Sequence, residues 1–392
     1  MGTTRKITPA DRVACVKEYY FSRKLREVSQ LNAQGKDIIS LGVGGPDRPP
    51  HQEVIDTLCK EARKPDTHSY QPYVGLPELR AAYADWYKRV YGVTLDPNNE
   101  IQPLIGSKEG ILHISLALLN PGDGVLVPNP GYPTYTSVSN LVGAEIFAYN
   151  LTEAHSWEPD FDEIERLPLE RIKLMWVNYP HMPTGHRASM PLYQKIIDFG
   201  NKHGIIIVND NPYSFILNDH PLSILAVDGA KDIAIELNSL SKSHNMAGWR
   251  MGMLASNPTF VQWVLRVKSN IDSGQFKPMM LAAAKALQCG TSWYSEVNAT
   301  YRHRRLIAEQ IMLALNCTFD PSQSGLFLWG RIPQSFPNAE ALADRALYDA
   351  RVFITPGSVF GSNGDRYVRI SLCATEEKMT EALRRIKTTL RQ

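Results

Sequence analysis

The chain has 392 residues, 43% of them hydrophobic and 21% charged, which implies two or three folding units around a sizeable core. Lys plus Arg number 42 against 40 Asp plus Glu, and a formal charge of +2 gives no electrostatic reason to expect a nucleic-acid partner. No apolar run approaches the roughly 20 residues needed to cross a bilayer, and Met1-Gly2-Thr3-Thr4-Arg5-Lys6 has neither a signal-peptide core nor a Ser or Thr where myristoylation needs one, so a cytoplasmic protein is expected.

In chain order, residues 1–46 contain an amphipathic stretch from Val16 to Leu31, too short for a domain and expected to pack on a smaller C-terminal unit or on a partner subunit. From 47 to 286, short β-rich runs alternate with helical patterns: Val125 to Val127, Ile172 to Val177, Ile205 to Val208, Ile233 to Leu237 and Gly252 to Ala255. That alternation predicts an α/β unit with a mostly parallel central sheet flanked by helices. Each run leads into a polar or Pro/Gly-rich loop, and ligands of open α/β sheets collect at such strand ends. From 287 to 392 a long charged helix through Tyr301-Arg302-His303-Arg304-Arg305 and then shorter strands and helices predict a second, smaller α/β unit, with the charge run as a solvated helix face. The five cysteines, Cys15, Cys59, Cys289, Cys317 and Cys373, are odd in number and far apart, which predicts free thiols and no metal.

The chemistry centres on Lys242, in Ser239-Leu240-Ser241-Lys242-Ser243-His244-Asn245-Met246-Ala247-Gly248-Trp249-Arg250, a loop following the strand Ile233 to Leu237. A neutral lysine there can form an imine with an aldehyde, and Arg250 offers a cation for a phosphate, a pairing that points to pyridoxal 5′-phosphate. Gly106-Ser107-Lys108-Glu109-Gly110 opens a helical pattern over Ile111 to Leu119 and reads as a phosphate cradle or a plain N-cap. Asp210 follows the strand Ile205 to Val208 and would bond a protonated pyridine nitrogen, unless it only caps a turn. Tyr213 could donate to a ring phenolate and Tyr132 could stack on a ring, or both could pack. Arg369, on the alternating run Tyr367 to Leu372, grips a substrate carboxylate or joins a salt bridge.

Taken together these motifs resemble the class I/II aminotransferases of the fold-type I pyridoxal-phosphate family, from about Ile38 to the C-terminus. The resemblance adds Leu41-Gly42-Val43-Gly44-Gly45-Pro46-Asp47, where Gly44 matches the backbone contact to substrate carboxylate, and Tyr70-Gln71-Pro72-Tyr73-Val74-Gly75-Leu76, where Tyr70 matches a phosphate ligand lent by a partner subunit. It implies a homodimer with shared sites. Lys242 becomes the Schiff-base lysine, Asp210 and Tyr213 the ring contacts and Tyr132 the stacking aromatic. Gly106, Ser107, Lys108, Ser239, Ser241 and Arg250 take the phosphate side, Asn178 joins the cofactor set, and Arg369 binds the carboxylate.

One departure stands out. Where the family reads Asn-Pro-Thr-Gly, this chain reads Met182-Pro183-Thr184-Gly185, and a thioether cannot donate the hydrogen bond that the asparagine gives the ring's phenolate oxygen. His181 or a water could take its place. The segments 106–111, 120–135 and 267–274 look most like the LL-diaminopimelate aminotransferase group, so the resemblance implies amino transfer from an amino acid such as LL-diaminopimelate or aspartate to 2-oxoglutarate. The missing asparagine keeps a β-eliminating carbon–sulfur lyase as the alternative. A cofactor-binding regulator would need a DNA-binding domain, for which only about 40 residues precede the first motif.

Overall fold

The computed structural model describes residues 7–16 and 18–390; the Met1–Lys6 stretch lies outside them. Twelve strands are present among the described residues: β1 (Ile39–Ser40), β2 (Ile101–Leu104), β3 (Gly124–Asn129), β4 (Glu145–Asn150), β5 (Ile172–Val177), β6 (Ile206–Asp210), β7 (Ala234–Ser239), β8 (Gly252–Ala255), β9 (Phe327–Arg331), β10 (Val352–Phe353), β11 (Thr355–Pro356) and β12 (Tyr367–Ser371).

The seven-stranded central sheet has the order β2-β8-β7-β6-β5-β3-β4, parallel throughout except for β8, which runs against both its neighbours. Its strands are apolar along their length because both faces are covered. With side chains alternating between faces, Leu126, Met175 and Val177 point into a core built with helices Pro77–Tyr91, Met190–His203 and Lys277–Leu287. Val125, Leu174 and Trp176 meet helices Ser107–Leu118, Pro133–Val142 and Pro258–Lys268 on the other side. The consequence for function is directional. The C-terminal ends of β2, β3, β5, β6 and β7 all reach one edge, and Gly106, Tyr132, Asn178, Asp210 and Lys242 lie in or just beyond them.

A third apolar cluster draws on residues 293–386 together with Ile39, Leu41, Met182 and Ile216. It contains a three-stranded antiparallel sheet, β11-β12-β9, in which Arg369 stands opposite Trp329 and Thr355. The N-terminal helix Tyr20–Ala33 packs Val28, with Ile38, against Leu347 and Phe353, and β1 extends β10 in parallel with Ile39 opposite Val352. No helix of the described residues is long and apolar enough to cross a membrane.

The charge run on the long helix, Thr291–Ala314, departs from the expected solvated face. Arg304 and Arg305 are buried. Arg304 makes paired bonds of 2.7 and 2.8 Å to the Asp47 carboxylate, and Arg305 holds Glu309 at 2.8 Å while donating to the carbonyls of Asp320, Pro321 and Gln323. Sequence alone could not distinguish the inward arginines from Arg302 and His303, which face solvent, because their partners lie in distant segments.

Candidate active site

One cavity of about 450 Å³ opens at the C-terminal edge of the central sheet. Its lining joins Gly44, Ser107, Lys108, Tyr132, Asn178, Asp210, Tyr213, Ser239, Ser241, Lys242, Arg250 and Arg369. All the site residues expected from the sequence are therefore brought together except Gly106, which lies immediately behind Arg250, and Tyr70. Tyr70 is 89% exposed on the surface of the protomer and does not line this cavity.

Lys242 belongs to a single helical turn, Leu240–Ser243, capped by the Ser239 hydroxyl accepting from Ser241 N at 3.2 Å; the expected open loop is in fact this short turn. The turn begins directly after β7, and Lys242 Nζ donates to the Gly44 carbonyl at 2.6 Å. Burial lowers its pKa, and the nearby Arg250 and Arg369 push in the same direction. A population of free amine, the form that attacks a carbonyl, is thereby favoured.

Asp210 is the last residue of β6 rather than a loop residue. One carboxylate oxygen accepts from the Tyr135 hydroxyl at 2.9 Å, while Oδ1 is buried without a partner among the described residues. Burial raises its pKa to about 7, against which the Tyr135 bond pulls weakly. An unpaired buried oxygen is costly, so a cationic N–H donor is the ligand that this position is built to take. Tyr135 had no signal in the sequence beyond its place three residues after Tyr132, one turn along the helix Pro133–Val142. It is fixed by stacking on Trp176, with ring centres 5.0 Å apart and planes 6° from parallel.

The cradle side is shaped by Gly106. It caps the helix Ser107–Leu118 with φ of 75°, and a Cβ there would collide with the Arg250 guanidinium. Glycine thus lets the helix N-terminus and Arg250 close on the same point, an anion site by both dipole and charge. Arg250 is held by the Ala247 carbonyl at 2.9 Å and leans on Ser241 Oγ at 3.4 Å.

Arg369 is fully buried with no acidic partner. It donates to the Gly42 carbonyl at 2.8 Å, leaves Nε unbonded, and lies over the rings of Phe327 and Phe360 at 3.8 and 4.5 Å. Burial lowers its pKa to about 10. Cation–π contact offsets part of the lost hydration, and a carboxylate entering the cavity would supply the rest. Gly44 lacks room for a side chain, because a Cβ would strike the Phe327 ring. Tyr19, Phe21, Phe327 and Phe360, none singled out in the sequence, complete the aromatic wall. The adjacent aromatics Tyr19-Tyr20-Phe21 in the amphipathic N-terminal stretch were the available hint.

His181 does not substitute for the missing asparagine. It lies outside the cavity, buried, with Nδ1 bonded to Thr184 Oγ1 at 2.8 Å and its pKa held down to about 3 chiefly by burial. Met182 itself faces the cavity, and its thioether sulfur receives Arg369 Nη1 at 3.2 Å. Asn178 is the organiser of this turn, giving its amide to the Asp210 carbonyl and accepting from Met182 N at 2.8 Å.

A model of the family described as aminotransferase class I and II matches residues 36–386. The chain belongs to the class I and II aminotransferases. Among its relatives, an LL-diaminopimelate aminotransferase from Oleidesulfovibrio alaskensis is 40% identical, covering 97% of this chain and 99% of the relative, and one of the same name from Aquifex aeolicus is 39% identical over 96% and 98%. Among solved structures, substrate-bound BacF from Bacillus subtilis superposes with a TM-score of 0.93 at 35% identity, covering 98% of each chain. An aromatic aminotransferase from Pyrococcus horikoshii gives 0.87 at 29%, over 96% and 97%. The fold is thus the aminotransferase fold expected from the motifs, the enzyme is a transaminase of amino and 2-oxo acids, and its cofactor is pyridoxal 5′-phosphate. The residues present fit that group: the free Asp210 oxygen suits the pyridine nitrogen, and the Gly106 cradle with Arg250 suits the phosphate.

Asp210 makes the ligand-free protein pH-sensitive in a calculable direction. The unfolded chain releases this proton near the ordinary 3.8 and the folded chain near 7, so the folded state binds more protons between those values. Stability of the ligand-free protein should fall as pH rises from about 4 to 7. Asp210→Asn cannot take part. The wild-type-minus-variant unfolding free energy in urea should decline by about 4 kcal/mol across that window, and a flat difference would show that Asp210 titrates normally.

Met182→Asn tests the departure. A donor restored at this position stabilises the phenolate oxygen in competition with the protonated lysine linkage, so the pH midpoint of the holoenzyme's visible absorbance should fall by about one unit, equivalent to about 1.4 kcal/mol. An unchanged midpoint with normal cofactor binding would make Met182 a wall of the cavity and nothing more.

Proposed function

We propose that this cavity performs amino-group transfer with the residue roles implied by the motifs. The observation that carries the reading is the charge pattern: three cations, Lys108, Arg250 and Arg369, and the Lys242 amine share one cavity with a single acid, Asp210, whose free oxygen is buried. Bound there, pyridoxal 5′-phosphate supplies an electron sink for the substrate's Cα electrons. Gly106, Ser107, Lys108, Ser239, Ser241 and Arg250 take its phosphate. Asp210 keeps a proton on the ring nitrogen, Tyr213 donates toward the phenolate side, with Asn178 beside it, and Tyr132 covers a ring face. Arg369, with the Gly44 backbone, orients the substrate carboxylate, and the Lys242 amine, freed by substrate, moves the Cα proton.

The active form in this proposal is a homodimer. Tyr70, Tyr73, Ile271 and Phe276 are exposed large side chains on the segments 68–76 and 269–276, which touch through Gly274 and Gln71 and through the rings of His68 and Phe276. An exposed apolar face beside a phosphate site supports docking of a second copy, with Tyr70 completing the partner's cradle. Separately inactive Tyr70 and Lys242 variants, mixed under confirmed subunit exchange, should regain part of the wild-type rate, because one hybrid site carries neither defect. Absence of any regain would contradict shared sites.

The donor we propose is LL-diaminopimelate with 2-oxoglutarate as acceptor, supported by the names of the relatives. A panel of amino and 2-oxo acids should give glutamate with kcat/KM for LL-diaminopimelate or aspartate at least equal to alanine, aromatic or branched donors. A tenfold advantage of those others, about 1.4 kcal/mol, would contradict the donor, and ammonia release without an acceptor would favour the lyase alternative.

A further inference from the structure

A charged cluster built on buried Lys268 and His113, with Glu109 and Asp272 partly exposed, lies beneath the cradle and, among the described residues, forms no ion pair with a cavity-lining side chain. Glu109, the third residue of the helix Ser107–Leu118, reaches back to accept from the Ile105 N–H. The helix cap is Gly106, so this differs from a capping box in reaching the N–H one residue before the cap. Its other oxygen is bonded to His113 Nε2 at 2.7 Å and faces Lys268 Nζ at 3.5 Å. Lys268 is only 1% exposed and pairs closely with Asp272. The donor atoms of Glu109, His113 and Asp272 lie within 4.8 Å of one another, as metal ligands would, but the Lys268 ammonium already takes the place of a cation.

Both backbone groups of Ile105 are therefore held, its N–H by Glu109 and its carbonyl by Arg250 Nη2 at 3.5 Å. Gly106 then turns the chain so that the next N–H groups begin the helix and face the cavity. A carboxylate this close to an anion site would repel a phosphate unless neutralised, and burying Lys268 is tolerable only because two carboxylates surround it. We propose that Glu109, braced by His113 and Lys268, is a positioning residue for the phosphate cradle, setting the Ile105–Ser107 backbone without touching the ligand. This rests on the reading of the cradle as the cofactor's phosphate site.

The test compares the affinity of the ligand-free protein for pyridoxal 5′-phosphate with its affinity for pyridoxal, which lacks the phosphate. In Glu109→Ala the phosphorylated ligand should weaken by about tenfold or more, while pyridoxal stays within about twofold. Glu109→Gln keeps an acceptor for Ile105 N–H and should recover most of the loss. Lys268→Met, which leaves Glu109 uncompensated, should again weaken the phosphorylated ligand selectively. A purely structural role would weaken both ligands together, and that result, or an unchanged ratio in Glu109→Ala and Lys268→Met, overturns the inference. If wild-type protein itself fails to prefer pyridoxal 5′-phosphate over pyridoxal, the cradle reading falls first and the inference with it.

Discussion

The structure depends on an imbalance of charge. Four basic side chains, one of them the Lys242 amine, open on a cavity with one carboxylate, and in Arg369 the guanidinium is fully buried without an acid beside it. For Arg369 this is unfavourable in isolation, since a buried cation gives up hydration that no counter-charge restores, whereas Lys108 and Arg250 remain exposed. It becomes favourable when anions arrive. In the proposed reading a phosphate at the Gly106 and Arg250 end and a carboxylate at the Arg369 end supply the missing charges, and Lys242 lies on the same lining with its amine directed at Gly44.

The sheet makes that imbalance affordable by rigidity. Five strands deliver their ends to one edge, so the backbone rather than flexible side chains fixes the site. Local clamps then refine it: Trp176 stacks on Tyr135, which bonds Asp210, and Asn178 joins the Asp210 carbonyl to the Met182 turn. Substituting Met182 for the family's asparagine removes a donor next to the ring position, yet the sulfur still meets Arg369.

Much of this was legible in the sequence because the site is assembled at strand ends. A residue such as Lys242 or Asp210 sits a fixed short distance from an apolar run, and both the run and the residue can be read locally. What escaped is what depends on distant segments. Tyr135 acts through Asp210 and Trp176, far away in the chain, and the inward turn of Arg304 and Arg305 is decided by Asp47 and by the carbonyls of residues 320–323. His181 failed as the substitute for asparagine because chain adjacency to Met182 does not imply a shared facing: its ring is turned to Thr184 while the methionine turns to the cavity.

The central claim is that Lys242, among all the lysines, is the amine matched to the aldehyde. Borohydride reduction of the cofactor-loaded enzyme, followed by peptide mass spectrometry, tests it directly. The account predicts a phosphopyridoxyl label on the peptide carrying Lys242, in proportion to the loss of activity. A label on Lys108 or elsewhere, with Lys242 unmodified, would contradict it.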